Sequence, residues 1–73
     1  MSVDIKMKVT EKDAERAASI VTRHNLPSRA QAVSVSLALT DFIGAAVEQG
    51  AHVVLVNRDG TVDRVVHPEL GLS

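Results

Sequence analysis

Val3-Asp4-Ile5-Lys6-Met7-Lys8-Val9 alternates without a break, with Val3, Ile5, Met7 and Val9 on one side and Asp4, Lys6 and Lys8 on the other. Successive side chains of a strand point to opposite faces, so a period of two marks a half-buried strand. No other strand pattern occurs in the first fifty residues. A lone strand has nothing to pair with. Its ladder must be completed by another chain or by the distant C-terminal segment, and the segments that follow favour a second copy of the same chain.

Size points the same way. A chain of 73 residues buries only about 60% of its unfolded surface and is marginally stable alone. Disulfides, metals and oligomerisation are the usual remedies. There is no cysteine, which removes disulfides and thiolate metal sites and fits a cytoplasmic protein. The three histidines are scattered along the sequence, so no structural metal is expected. Oligomerisation remains, and an apolar content of 45% supports it.

The net charge of −1 is unevenly spread. Residues 1–29 carry six Lys or Arg against four acids, and residues 30–73 carry two against five. The basic end is the strand end. The longest apolar run, Phe42 to Val47, is six residues, against roughly 20 for a bilayer span. Neither a membrane span nor a signal peptide is expected.

Two helical patterns follow the strand. Thr10 is placed to cap the first, with Glu11, Asp13 and Glu15 where the helix dipole favours negative charge. Ala14, Ala17, Ala18 and Val21 recur at helical spacing beside Ile20, predicting an amphipathic helix from about Glu11 to His24. Asn25-Leu26-Pro27 breaks it. Ser28 followed by Gln31 reads as a capping box opening a second helix, which runs to about Gln49 and stops at Gly50.

The second helix is apolar on most sides. Val33, Leu37 and Ile43 or Val47 lie on one line, and Val35, Leu39, Phe42 and Ala46 lie on another. One short helix and one strand cannot cover both, so a second chain is expected to. Ser36, Thr40 and Gly44 form a small-residue row. Glycine inside a helix costs about 1 kcal/mol relative to alanine, which is explained if another backbone approaches there. The expected dimer core comprises Val3, Ile5, Met7, Val9, Val33, Leu37, Thr40 and Gly44.

Beyond Gly50 the tail reads as a hairpin, with strands Ala51–Val56 and Thr61–Val66 around Asn57-Arg58-Asp59-Gly60. Asn first and Gly last suit a type I turn with a G1 bulge. If Asn57 pairs with Thr61, then His52, Val54, Val56, Val62, Arg64 and Val66 share a face. Pro68 should end the hairpin and leave Glu69 to Ser73 frayed.

The order of alternating strand, Thr10-capped helix and Leu26-Pro27-Ser28-Arg29 opening a second helix resembles the ribbon-helix-helix proteins of the Arc and MetJ class. The likeness covers residues 3–49, and the Gly50-Ala51-His52-Val53-Val54 and Asp59-Gly60-Thr61 stretches strengthen it. It implies an α+β fold: an intertwined homodimer with an intermolecular two-stranded antiparallel ribbon, residues 1–49, carrying a C-terminal β-hairpin, residues 50–73, in one structural unit. It further implies that the ribbon enters the major groove of double-stranded DNA, which admits a two-stranded ribbon. Asp4, Lys6 and Lys8 would then face the bases. Ser28 and Arg29, at the second helix's N-terminus, would hold a backbone phosphate. Asp4 departs from the basic or amide residue expected there; it can accept from cytosine N4 or pair with Lys6 on the neighbouring strand.

No nucleophile–base pair, phosphate loop or carboxylate pair emerges, so neither enzyme activity nor a cofactor is expected. His52 and His67 fall on opposite hairpin faces, which disfavours a shared metal. Three readings follow: a homodimeric transcriptional regulator, foremost a repressor; an antitoxin that autoregulates its operon and grips a toxin with its tail; and an assembly module without DNA function. Antitoxin tails are often long and disordered until bound, whereas this tail is short, apolar and turn-coded.

Overall fold

The computed structural model describes residues 2–73. It is a small α+β chain with two helices, α1 (Glu11–His24) and α2 (Arg29–Glu48), and a two-stranded antiparallel sheet of β1 (Val54–Val56) and β2 (Val62–Arg64). A short 3-10 turn, Pro68–Leu70, follows. Contacts group the chain into two compact units, Met1–Val35 and Ser36–Ser73.

In the first unit, the Thr10 hydroxyl accepts from the Asp13 N–H at 3.0 Å and starts α1. Asp13 also pairs with Arg16 at 3.0 Å across an exposed helical turn. Ala14, Ala17, Ala18, Ile20 and Val21 are half-buried, and the intervening positions are exposed. This is the expected amphipathic face. The helix ends where Asn25 takes a left-handed conformation at φ 51°, and the Leu26 N–H reaches back to the Val21 carbonyl at 3.0 Å. Asparagine tolerates that conformation better than most residues.

Ser28 opens α2 by accepting from the Gln31 N–H at 3.1 Å. Only half of the expected capping box forms, because the Gln31 side chain returns no bond to Ser28 among the described residues. Ala32 is the buried residue of α2, 1% exposed. Pattern reading put Val33 and Val35 on the apolar lines and overlooked Ala32, whose small side chain gives a weak signal.

In the second unit, α2 closes with three bonds: Gln49 N–H to Ala46 O at 3.1 Å, Gly50 N–H to Val47 O at 2.9 Å and Ala51 N–H to Ala46 O at 3.1 Å. Gly50 is left-handed at φ 94°, so the expected glycine cap forms as a Schellman motif. The hairpin pairs Val54 with Arg64, Leu55 with Asp63 and Val56 with Val62. Asn57 donates to the Thr61 carbonyl at 2.7 Å and accepts from the Gly60 N–H at 2.9 Å. With Gly60 at φ 90°, this is the type I turn and G1 bulge that the sequence predicts. The strands are shorter than the expected Ala51–Val56 and Thr61–Val66, although the Val65 N–H to Val53 O bond carries the ladder one pair further.

The turn carries its own polar network. The Asn57 side chain donates to Thr61 Oγ1 at 2.9 Å and to Asp63 at 2.8 Å. Thr61 donates to Asp59 through both its hydroxyl, at 2.7 Å, and its N–H, at 3.0 Å. These two bonds, the hydroxyl foremost, lower the Asp59 pKa below its ordinary value.

The tail corrects an expectation. Residues 69–72 are ordered rather than frayed. His67 and Leu72 exchange backbone bonds of 2.9 and 3.1 Å around the Pro68–Leu70 turn, and Gly71 is left-handed at φ 73°. Leu72 is buried, at 5% exposed. Pro68 presets the turn's backbone, and burial of Leu72 offsets the entropy of ordering a short end.

Candidate nucleic-acid interface

The stretch 3–9, expected to be a strand, is neither a strand nor part of a ladder among the described residues, because a strand without a neighbour has no ladder to define it. Among the described residues β1 pairs with β2 alone, so the C-terminal segment does not complete a ladder with that stretch. Val3, Ile5, Met7 and Val9 are 59–80% exposed. At about 25 cal/mol per Å², full burial of such side chains contributes about 1.5–3 kcal/mol each.

Asp4, Lys6 and Lys8 are exposed and make no hydrogen bond or ion pair among the described residues. Among the described residues nothing uses their charges. Ser28 is committed to the Gln31 N–H, and its carbonyl accepts the first α2 backbone bond, from Ala32 at 3.2 Å. The N–H groups of Arg29 and Ala30 have no partner among the described residues, and the Arg29 side chain is exposed. Two free donors, the positive end of a 20-residue helix and a guanidinium suit an anion.

The expected α2 members of the dimer core face outward. Val33, Leu37 and Thr40 are exposed, as are Val35, Leu39 and Phe42, the last at 73%. Gly44 is half-buried, yet a side chain built on it would meet nothing within 4 Å. The single chain therefore gives no steric reason for glycine. By length and composition α2 is also apolar enough to cross a membrane, a property that the longest uninterrupted apolar run understated. Asp41 in its second half makes it a costly span.

The sequence reading missed a groove in the second unit between α2 and the ordered tail. Thr40, Asp41, Gly44, Glu48, Glu69 and Leu70 line it. Its three carboxylates repel phosphate, so this groove is the wrong place for nucleic acid. The unit carries Arg58 and Arg64 against five acids, which leaves the basic groups of residues 1–29 as the candidate contact. No metal-binding cluster occurs among the described residues. His52 instead accepts from the Arg64 guanidinium on their shared hairpin face.

Comparison with protein-family models, curated proteins and solved structures finds no match to this chain.

Proposed function

We propose that two copies of this chain pair through residues 3–9 into an antiparallel ribbon, and that the ribbon binds double-stranded DNA in the manner of the ribbon-helix-helix proteins it resembles. The observation that carries the reading is the N-terminal segment itself. Its four apolar side chains are exposed and unpartnered, and the residues between them carry unused lysines. Pairing two copies buries the first set and presents the second twice over. The exposed apolar surface of α2 supplies the rest of the dimer contact, around Val33, Leu37, Thr40 and Gly44.

On this reading Lys6 and Lys8 donate to guanine O6 and N7 or to phosphates, and Asp4 accepts from cytosine N4. Ser28 holds the first turn of α2 in place, while Arg29 and the free N–H groups of Arg29 and Ala30 take a phosphate. The role is that of a transcriptional regulator, foremost a repressor, acting without cofactor or catalysis.

Titration against the DNA upstream of its own gene, across a salt series and beside a Lys6→Ala/Lys8→Ala variant, tests it. Each phosphate contact contributes about 0.9 to the slope of log affinity against log salt, and each specific base contact about 1–3 kcal/mol of discrimination. The expected result is salt-dependent binding that prefers this DNA over random sequence, with the preference reduced at least tenfold in the variant. Absence of binding at low salt to either DNA would overturn the proposal. Binding equal in variant and wild type would move the contact away from the ribbon.

A further inference from the structure

The hairpin is the other part of the chain whose hydrogen-bonding groups and apolar side chains stand open. Its ladder bonds run between Asn57 and Thr61 and between Val65 and Val53. Antiparallel pairs alternate between bonded and non-bonded, so Val53, Leu55 and Asn57 turn their backbone groups toward β2. Val54 and Val56 therefore turn theirs to the free edge of β1. Val54, Leu55 and Val56 are all exposed, Leu55 at 59%. A two-stranded hairpin is marginal in water, and three or more strands stabilise it.

The two free edges differ in what they admit. From His52 to Asn57 the β1 segment contains no acid, lysine, arginine or proline. Two copies of β1 running antiparallel about a two-fold axis at Leu55 would set Leu55 against Leu55 and Val54 against Val56, with no charge opposed. On β2, an axis at Asp63 sets two aspartates against each other and one at Arg64 sets two arginines; an axis at Val62 avoids this but draws Gly60 of the turn into the pairing and leaves Asp63 and Arg64 on the edge. Like charges directly opposed destabilise a pair, and charged edge residues block strand addition. Pairing β1 with β2 of another copy would leave both outer edges open and propagate without closing. The symmetric β1 contact closes after two copies.

We propose that the free edge of β1 pairs with β1 of a second copy, joining two hairpins into a four-stranded antiparallel sheet centred on Leu55. This contact is separate from the N-terminal ribbon and does not depend on DNA binding. It covers Leu55 and satisfies the open backbone groups of Val54 and Val56.

Backbone hydrogen exchange on the wild-type protein tests it without a mutation. The Val54 and Val56 amides are expected to be protected to the level of Val65, whose N–H is bonded within the hairpin. The Val62 and Arg64 amides, on the free edge of β2, are expected to exchange freely. A second test uses the absence of native cysteine. Directly opposed residues bring their Cβ atoms to about 4.5–5.5 Å, so Leu55→Cys should form an inter-chain disulfide under mild oxidation much faster than Val62→Cys. Free exchange at Val54 and Val56, as an edge reserved for a different protein would give, overturns the proposal. So does cross-linking of Leu55→Cys no faster than that of Val62→Cys. Loss of DNA binding in the Lys6 and Lys8 variant leaves both readouts unmoved, so the two readings fail separately.

Discussion

At the scale of single residues, Gly44 separates a chain that is complete alone from one that is not. Inside a helix glycine costs about 1 kcal/mol against alanine, and apart from the neighbouring residues and the helix's own backbone nothing described lies within 4 Å of where its side chain would be. If no partner approaches, Gly44→Ala should stabilise the protein by up to that amount. If another helix backbone packs there, the added methyl should weaken the dimer instead. We expect destabilisation, read as a lower denaturant midpoint at fixed protein concentration. Asp59 makes a smaller point about turns. Its bonds from Thr61 favour the carboxylate, so its contribution to hairpin stability is present above the ordinary aspartate pKa and is lost as pH falls through the lowered one.

At the scale of elements, the two helices and the hairpin were largely legible because each is announced locally. Thr10 and Ser28 accept from the N–H three residues on, and Gly50 and Gly60 take the left-handed conformations their positions require. The ordered tail was not legible, since its closure depends on backbone bonds between His67 and Leu72 and on burial of Leu72, which no periodicity announces. Ala32 was missed because alanine marks a face weakly. The segment 3–9 is legible as a pattern, yet it takes no strand within the single chain, and its proposed partner is a second copy. Ile5→Ala tests that element. An exposed side chain tolerates substitution within about 0.5 kcal/mol, whereas truncating a buried isoleucine costs about 2–5 kcal/mol. In the single chain Ile5 is 72% exposed, so a loss in the larger range, measured by chemical denaturation, would place it inside an interface.

At the scale of the whole molecule, the chain has the secondary structure of a folded protein and little of a core: Ala32 and Leu72 are its buried apolar residues among those described. Large apolar side chains face outward on the N-terminal segment, on α2 and on the hairpin, among them Ile5, Phe42 and Leu55. The proposed pairing with a second copy would bury all three surfaces at once and would make stability depend on protein concentration. The most direct measurement is an isotope-filtered NMR experiment on a refolded mixture of labelled and unlabelled chains. The account predicts contacts between chains within residues 3–9, with Ile5 and Met7 close to the same segment of the other copy. Contacts there that arise only within one chain, or none at all, would contradict it.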